Sequence, residues 1–279
     1  MFQYAAARAL SLRSNNSFKL DISGIEHQGV PQRCELNRIF KCHFEVASRS
    51  DIRKVLGWQS FPLVRRIMSR AITNSLRHDR FVVEPHFQFW PELSKAPRNC
   101  YLVGYWQSEK YFQDAESVIR NDFMFRNPLS NRNAELAEHI GKVNGVSLHV
   151  RRGDYASNPK ITAMHGLCTL DYYRAAIQYV SERVAQPHFY VFSDDMAWAK
   201  ANLKVEFPCQ YVEHNKGTES YNDMRLMSQC RHHIIANSSF SWWGAWLNPS
   251  TTKVVIAPKN WFAKQTDVSD LYPAGWVTL

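Results

Sequence analysis

The second half of the chain alternates short apolar strands with helical segments, and this pattern restricts the fold more than any other feature of the sequence. Five strand-like segments lie between residues 146 and 258: VSLHV (146–150), HFYVFS (188–193), QYVEH (210–214), HHIIAN (232–237) and KVVIAP (253–258). The intervening helices are predicted at 170–184, 196–203, 219–230 and 239–247. Apolar strands separated by helices are typical of a parallel sheet that is covered on both faces. The sequence therefore predicts an α/β fold whose ligands bind beyond the carboxyl ends of the strands.

The first half of the chain is less regular. It opens with MFQYAAARALSLR, which is rich in strong helix formers but has neither a cap nor a preceding strand. Further strands are predicted at 17–23, 80–85 and 101–106, and further helices at 48–57, 61–78 and 108–123, the last capped by Ser108. The polar segment RNPLSNRN (126–133) is interpreted as a linker, which divides the chain into domains 1–128 and 129–279.

Positive charge is concentrated in one part of this first half. The net charge is +9, and residues 49–80 contain eight lysines and arginines against two acidic residues, Asp51 and Asp79. The segment FPLVRRIMSRAITNSLR alternates apolar and basic residues at roughly helical spacing. A basic amphipathic helix lies on an anionic membrane surface in some proteins and is an ordinary solvated helix in others. Nucleic-acid binding is a third interpretation, but no nucleic-acid-binding motif accompanies the charge.

Composition points to a cytoplasmic globular protein. No apolar run approaches the roughly 18 residues that cross a bilayer, and no secretory leader is recognisable. The six cysteines form no CxxC pair and no metal-ligand spacing, so they are interpreted as reduced thiols.

Polar side chains follow three of the predicted strands at the point where each strand ends. The candidate site residues are His149, Arg151, Arg152 and Asp154 around the first strand end, Ser193, Asp194 and Asp195 at the second, Ser238 and Ser239 after the fourth, and Asp223 near the start of the preceding helix. Because these ends share one edge of a parallel sheet, we expect the groups to converge on one crevice.

Their chemistry suits a nucleotide diphosphate. Adjacent arginines present forked donors to phosphate oxygens, and serines at a helix start add hydroxyl and backbone donors beside the positive end of the helix dipole. A carboxylate opposite them is able to accept hydrogen bonds from a base or a ribose. Neither GxGxxG nor GxxxxGK[ST] occurs, which disfavours dinucleotide and Walker-type sites.

Each element also has a purely structural interpretation. Asp194, Asp195 and the serines are all able to act as helix caps, and the tryptophans at 242, 243 and 246 fit a core better than a ligand platform. The tripeptide RGD is too common to indicate adhesion. The coincidence of complementary groups at three strand ends is what favours a binding site.

Several longer segments resemble one family. HVRRGDY, YVFSDDMAWAKANL and MSQCRHHIIANSSFSWWGAWLN are similar to three signature regions of the alpha-1,2-fucosyltransferases of glycosyltransferase family 11, and MFQYAAARAL and GYWQSEKYF resemble two further stretches. The resemblance implies a GT-B-like α/β fold of two Rossmann-like domains with parallel sheets. Domain 1–128 would then be the acceptor-side domain and domain 129–279 would bind GDP-fucose.

The resemblance also implies an activity and residue roles. The reaction would be inverting, metal-independent transfer of L-fucose from GDP-fucose to the 2-hydroxyl of a galactose in a glycan acceptor, with no cofactor. Arg151 and Arg152 match the pair that binds the diphosphate, His149 and Asp223 match positions that contact guanosine, and Ser239 matches one that contacts phosphate. Ser193–Asp195 match a stretch that lines the nucleotide pocket. Asp154 has two roles open to it, as the base that activates the acceptor or as a group that only orients the arginines.

One departure from the family concerns the amino terminus. Family members usually carry a hydrophobic strand and a GGLGNQ-type loop directly before the MFQYAAARAL region, and here the sequence begins at Met1. We expect either that the natural protein starts upstream or that the first domain lacks a strand. In the second case the chain would bind GDP-fucose with impaired transfer. The acceptor itself, expected to be a lipid-linked glycan in bacterial surface polysaccharide synthesis, is not specified by any readable pattern in loops 24–35 and 84–107.

Overall fold

The computed structural model describes residues 1–26 and 34–279, so the middle of the predicted loop 24–35 lies outside the described residues. The chain divides into two compact units. Unit 1 comprises Met1–Arg126 and Ser269–Pro273, and unit 2 comprises Asn127–Val268 and Ala274–Leu279. Among the described residues, no helix is both long enough and apolar enough to cross a membrane.

Unit 1 is mostly helical, with two small parallel sheets. Its helices are α1 (Phe2–Ser14), α2 (Ser23–Glu26), α3 (Leu36–Ile39), α4 (Arg49–Leu56), α5 (Pro62–Met68) and α6 (Glu116–Asp122). Its strands are β1 (Lys19–Leu20), β2 (Glu45–Val46), β3 (Phe81–Val83) and β4 (Tyr101–Val103). Strand β1 pairs with β2, and β3 pairs with β4. The parallel direction in both pairs agrees with the predicted fold class.

Helix α1 forms as predicted, with no side-chain cap at its start. Asn15 ends it in the left-handed conformation at φ 51°, and its backbone N–H donates to the carbonyl of Leu12. The buried Tyr4 donates its hydroxyl to Asp122 at 2.8 Å. Arg8 donates to the same carboxylate at 3.0 Å. These contacts join α1 to the end of α6.

The single helix predicted over 61–78 is wrong, because α5 ends at Met68 and a 3-10 helix covers Ala71–Leu76. The hydroxyl of Thr73 donates to carbonyls at the end of α5, including that of Met68 at 3.2 Å. The guanidinium of Arg77 donates to the Met68 carbonyl at 2.7 Å and to that of Arg70 at 2.8 Å. Side chains thus satisfy the carbonyl groups that a longer helix would have paired internally.

Unit 2 contains the predicted parallel sheet. Its strands are β5 (Asn144–Val150), β6 (Pro187–Ser193), β7 (Cys209–Val212), β8 (His232–Ile234), β9 (Val255–Ala257) and β10 (Val277–Thr278). Its helices are α7 (Asn131–Lys142), α8 (Gly153–Ser157), α9 (Pro159–His165), α10 (Leu170–Ser181), α11 (Met196–Asn202), α12 (Tyr221–Gln229) and α13 (Ser239–Leu247). All five predicted strands are present, and β10 is an additional sixth.

The strand order is β10-β9-β8-β5-β6-β7, with every pair parallel. Read from the other edge this is the doubly wound order 3-2-1-4-5-6, in which the chain starts at β5, builds outward to β7 and returns to the other side at β8. The direction of winding reverses between β5 and β8. A crevice at the carboxyl ends of these two strands is where ligands bind in such folds.

Apolar cores cover both faces of this sheet. On one face, Val146, Leu148 and Val150 of β5 pack with α10, and on the other Tyr190 and Phe192 of β6 pack with α7 and α12. The tryptophans at 242, 243 and 246 on α13 are at most 3% exposed, which confirms their interpretation as core. All six cysteines are free thiols.

The linker predicted at 126–133 is wrong in its last part, because α7 begins at Asn131. Leu136 and Ile140 are buried at helical spacing, against the core under β6. This apolar stripe is short and polar residues surround it, so the segment's composition concealed a helix.

Candidate functional site

The switch point of the sheet, where the direction of winding reverses between β5 and β8, is lined by two arginines that follow β5 and by the start of α13 after β8. Arg151 and Arg152 follow Val150 directly at the end of β5, and Ser238 precedes α13. Strands β5 and β8 are hydrogen-bonded neighbours, with Leu148 opposite Ile234. The adjacency of the strands therefore brings two of the predicted strand ends to one edge, and β6, on the other side of β5, brings Ser193 opposite Val150.

Arg151 is held on three sides. Its Nη2 donates to Asp154 at 2.6 Å, its Nη1 lies 2.9 Å from Oδ2 of Asp194, and its guanidinium carbon lies 5.0 Å from the ring centre of Tyr155. Two carboxylates and an aromatic ring fix the plane of the guanidinium. The side chain nevertheless keeps about a third of its surface, 31%, open to solvent.

Arg152 is positioned by a ring more than by a charge. Its guanidinium carbon lies 4.0 Å from the ring centre of Trp198, and its Nε lies 3.5 Å from Oδ2 of Asp195. This Nε is buried, and it has no hydrogen-bond partner within residues 1–26 and 34–279. A buried guanidinium N–H with a carboxylate at 3.5 Å but no hydrogen bond is incompletely satisfied, which leaves the guanidinium with positive charge for an anionic ligand.

Asp194 connects the two arginines. One oxygen accepts the backbone N–H of Arg152 at 2.8 Å and the other pairs with Arg151. Gly153 allows this approach, since a Cβ added at that position would lie 2.5 Å from Oδ2 of Asp194. The interpretation of Asp194 as a cap of the following helix is therefore wrong, because its oxygens bind the loop after β5.

Asp195 has the capping role that was considered for both aspartates. Its Oδ1 accepts the backbone N–H of Trp198 at 3.1 Å and caps α11. The hydroxyl of Ser193 in turn accepts the backbone N–H of Asp195 at 2.9 Å. These two bonds fix the turn that presents Asp194 to Arg151.

Asp154 is oriented toward Arg151 rather than standing free. Its Oδ1 accepts from the arginine, and nearly half of its side-chain surface, 48%, is exposed. Of the two roles considered for Asp154, the geometry supports orientation of the guanidinium. A role as base would require this hydrogen bond to break or to be shared.

His149 lies beneath the arginines on β5 and is buried. Burial lowers the pKa of its imidazole to about 4, although the charge of Asp194 acts in the opposite direction. The ring is therefore neutral at physiological pH. Its Nδ1 is buried without a hydrogen-bond partner in the described part of the chain, and the ring packs on Phe240 at 5.8 Å.

The serines occupy the amino end of α13. Ser238 is buried and its hydroxyl accepts the backbone N–H of Phe240 at 3.3 Å, so it is a helix cap. Ser239 is the first residue of α13 and is exposed. Phe240 contacts both this cap and His149, which links the serines to the end of β5.

Asp223 belongs to a separate polar group, and no contact between described residues joins it to the arginines. Its Oδ1 accepts from Asn215 at 2.7 Å, and Asn215 is bonded to Asn133, which also contacts His214. Burial raises the pKa of the Asp223 carboxyl to about 7, against the hydrogen bond from Asn215. A carboxylate of this kind gains from a ligand that brings further N–H donors.

A stack of aromatic rings beside Arg151 was missed by the sequence reasoning. Tyr155 stacks on His165 at 4.7 Å with an interplanar angle of 15°, and His165 contacts Phe262 at 5.8 Å. Asn237 donates to the carbonyl of His165 at 2.8 Å and ties this layer to the end of β8. Tyr155 and His165 lie on the consecutive helices α8 and α9, and Phe262 comes from the distant segment after β9, so no local sequence pattern predicts that the three rings meet.

The described residues include no group of three or more His, Cys, Asp or Glu side chains with the geometry to hold a metal ion. The absence of a metal requirement stays a prediction, for which activity in the presence of a chelator is the test.

The six-stranded parallel sheet places unit 2 in the doubly wound α/β class. The chain belongs to glycosyl transferase family 11, whose family model matches residues 66–279. It is therefore a glycosyltransferase, and the family resemblance of its motifs is confirmed.

Some of the similar proteins match the whole chain. An alpha-1,2-colitosyltransferase of Escherichia coli is 36% identical, over all of this chain and 94% of that protein. The O-antigen biosynthesis glycosyltransferase WbnK of Escherichia coli is 34% identical, over all of this chain and 96% of that protein. A galactoside 2-alpha-L-fucosyltransferase of Bos taurus is 26% identical over 54% of this chain and 43% of its own length.

A solved structure supports the fold. The fucosyltransferase NodZ from Bradyrhizobium superposes with a TM-score of 0.51 at 14% identity, over 89% of this chain and 88% of that one. NodZ has a GT-B fold, so the predicted GT-B-like α/β class is confirmed.

Proposed function

We propose that this glycosyltransferase transfers L-fucose from GDP-fucose to the 2-hydroxyl of a galactose residue, with inversion and without a metal ion. The observation that supports the proposal most directly is the pair of arginines at the switch point, one of which has a buried N–H with no hydrogen-bond partner among the described residues. Family membership and the alpha-1,2-linkage named for a close relative point the same way.

The arginines would act on the leaving group. Breaking the bond between fucose and phosphate develops negative charge on GDP, and fixed guanidinium groups stabilise that charge without reorganising. Arg151 and Arg152 are already oriented by carboxylates and rings, so little side-chain freedom remains to be lost when the diphosphate binds. Backbone N–H groups at the start of α13 would add to this stabilisation.

Guanosine recognition is proposed for His149 and Asp223. The neutral imidazole of His149 offers one donor and one acceptor, and its Nδ1 is unsatisfied within the described part of the chain. Asp223, when ionised, would accept N–H bonds from the edge of guanine. The contacts of Asp223 with Asn215 leave its second oxygen for this purpose.

The acceptor hydroxyl must also lose a proton during transfer. Asp154, in the first turn of α8, is the candidate base, and its bond to Arg151 supports the orienting role instead. Asp154→Asn separates the two roles. An acidic limb of the pH–rate profile that disappears in the variant would identify a base, whereas an unchanged profile with a raised KM for the donor would identify an orienting residue.

The donor sugar is open to a second candidate because a 36% identical relative is named a colitosyltransferase. Colitose is L-fucose without its 3-hydroxyl. A site that hydrogen-bonds this hydroxyl would prefer GDP-fucose strongly, whereas an apolar site would accept both donors. Comparison of kcat/KM for the two nucleotide sugars decides between them.

The decisive experiment incubates the purified chain with GDP-fucose and a panel of galactose-terminated disaccharides, with and without chelator. The expected product carries an alpha-linked fucose on the galactose 2-hydroxyl, visible by NMR, at a rate the chelator leaves unchanged. GDP binding by calorimetry without product on any acceptor would instead favour the binding-only alternative. No GDP binding would contradict the proposal.

We further propose that the natural acceptor is a glycan of O-antigen type, built on a lipid carrier at the cytoplasmic face of the inner membrane. The name of the WbnK relative supports the pathway class. Comparison of kcat/KM for a lipid-linked and a free form of the same oligosaccharide tests this extension.

A further inference from the structure

Unit 1 exposes an unusual concentration of large apolar side chains. Six of the twelve large apolar residues that are exposed in the described part of the chain lie within residues 58–76: Trp58, Phe61, Leu63, Ile67, Ile72 and Leu76. They are 40% to 89% exposed. Single exposed apolar residues are normal, but six of them within residues 58–76 indicate an interaction surface.

Helix α5 shows how apolar and basic side chains share this surface. Leu63, Arg66 and Ile67 recur at the spacing of one helix face and are exposed, and Arg70, two residues beyond the end of α5, is exposed as well. The opposite face carries Val64 and Met68, which pack on the core that also contains Leu56 and Phe81. Arg65 is also turned inward and pairs with Asp21. The outward face of α5 thus carries apolar and cationic side chains, whereas the apolar side chains that pack in the core lie on its other face.

The basic side chains of this surface are not neutralised. Neither Arg66 nor Arg70 forms an ion pair with another residue of 1–26 or 34–279, and the same holds for Arg53 and Lys54 on α4. Asp51, the acidic residue of α4, is itself paired with Lys19.

The surface is held in place by buried polar contacts. The amide of Gln59, which is 2% exposed, donates to the carbonyl of Leu76 at 2.9 Å and accepts the backbone N–H of His78 at 3.0 Å. Thr73 and Arg77 fasten the turn after α5 through their bonds to the Met68 carbonyl. The apolar side chains are therefore presented by a braced segment, and docking would not require the segment to fold first.

We propose that the segment 58–76 is a docking surface for an anionic lipid bilayer, with Trp58, Phe61, Leu63 and Ile67 inserted at the headgroup level and Arg66 and Arg70 against lipid phosphates. Tryptophan and long apolar side chains favour this depth, and basic residues beside them bind anionic lipid. The inference deepens the proposed membrane location of the acceptor, but it rests on this surface and not on the donor chemistry.

Flotation with vesicles tests the proposal without donor or acceptor. The full chain is expected to float with vesicles of phosphatidylglycerol and phosphatidylethanolamine and to remain unbound with phosphatidylcholine alone. Leu63→Ser/Ile67→Ser should weaken partition about tenfold or more. Arg66→Gln/Arg70→Gln should weaken it about 25-fold at low salt, roughly fivefold for each charge.

Matched controls come from elsewhere in the chain. Leu12→Ser/Met124→Ser changes two exposed apolar residues of unit 1 outside the segment, and Arg174→Gln/Arg183→Gln removes two exposed charges of unit 2. Both controls should float like the unmodified chain. Brominated lipids should quench tryptophan fluorescence in the unmodified chain, and this quenching should fall in Trp58→Phe.

Three results would overturn the proposal. The first is failure of the unmodified chain to float with anionic vesicles. The second is unchanged flotation of Leu63→Ser/Ile67→Ser, which would mean contact by charge alone. The third is a stable dimer in sedimentation equilibrium that the same double variant converts to monomer, since the surface would then cover a second copy. Because flotation requires no turnover, a failure here leaves the proposed transferase activity standing, and loss of transfer leaves the docking surface standing.

Discussion

Both units of this protein carry arginine side chains at their surface, but the surroundings of these arginines differ between the units. At the switch point of unit 2, Arg151 contacts two carboxylates and a ring, and Arg152 is stacked on Trp198. On α5 of unit 1, Arg66 extends from an exposed apolar face with no ion pair among the described residues. The difference teaches how one cation serves two purposes. If the proposed diphosphate and bilayer contacts hold, charge that meets a ligand at a fixed place is oriented beforehand, whereas charge that meets a fluid surface is left free to adjust.

Removal of one of the oriented arginines is expected to have the largest effect on activity. Arg152→Ala should lower kcat/KM for transfer by about 100- to 1000-fold or more, because the proposed mechanism would lose one fixed cation at the leaving diphosphate. Arg66→Ala should leave transfer to a water-soluble acceptor unchanged. Kinetics of both variants, with circular dichroism to verify folding, make the measurement. Near-normal turnover by Arg152→Ala would remove the assignment of the diphosphate site.

A smaller effect is expected when the orientation of the arginines is disturbed but their charge remains. Gly153→Ala places a methyl group against Asp194 and should displace the carboxylate that holds Arg151, with a loss of up to about 100-fold in kcat/KM. Gly141→Ala is the matched control, since a Cβ at that helix position would contact nothing within 4 Å. If Gly153→Ala and Gly141→Ala have the same kcat/KM, the close approach of Gly153 to Asp194 does not contribute to activity.

The pH dependence of GDP binding tests the contribution of Asp223. Its pKa is raised to about 7 by burial, and we propose that guanine binds the ionised form. GDP affinity should therefore rise by about tenfold between pH 6 and pH 8 on account of this residue. Calorimetry across that range, with Asp223→Asn as reference, measures it. Equal slopes in the two proteins would place guanine elsewhere.

The same shift predicts an effect on stability with a definite sign. The folded state binds the Asp223 proton more tightly than the unfolded state does, so the stabilisation is present below the ordinary carboxyl pKa of 3.8 and is lost as pH rises to about 7. In denaturant titrations, Asp223→Asn should therefore flatten the fall in the free energy of unfolding between these values. Saturating GDP should restore stability at pH 8.

The last prediction concerns the polar contacts that hold the exposed segment 58–76 in place. Gln59→Ala leaves the Leu76 carbonyl and the His78 N–H without their partner and should lower the free energy of unfolding by about 1–3 kcal/mol. Vesicle partition should weaken in parallel, because the apolar side chains would then be ordered only on binding. Gln113→Ala, at an exposed position of the same unit, should change neither quantity. A destabilised Gln59→Ala protein with normal vesicle binding would show that the bracing is not needed for docking.

Local sequence patterns were sufficient to predict five of the six strands in the sheet of unit 2 and most of the side chains at the carboxyl ends of these strands. Apolar runs such as VSLHV form strands wherever neighbouring strands cover them, and the residues after them are necessarily at the edge. Strand β10 was missed because two residues, Val277 and Thr278, carry no periodicity. The separate functions of Asp194 and Asp195 were also beyond reach, since both are adjacent acids before a helix and only the fold decides which one turns to β5.

Unit 1 shows more clearly where prediction from local sequence patterns fails. The amphipathic pattern over 61–78 was recognised from the sequence. The end of α5, however, depends on hydrogen bonds from the side chains of Thr73 and Arg77 to the Met68 carbonyl, and helical periodicity does not predict these bonds. The aromatic layer of Tyr155, His165 and Phe262 is similar, because its members meet only after α9 and the segment after β9 have packed. Tertiary contacts of this kind override local preference.

The contact of Asp194 with Arg151 has a consequence for the choice of inhibitors. The guanidinium already faces two carboxylates of the protein itself, so a compound that offers a lone carboxylic acid merely exchanges one such neighbour for another. A molecule gains only if it supplies more oxygen atoms per guanidinium than the aspartates do, as pyrophosphate and bisphosphonate groups can. Fragment libraries weighted toward such dianions should therefore yield hits here that collections of simple acids miss.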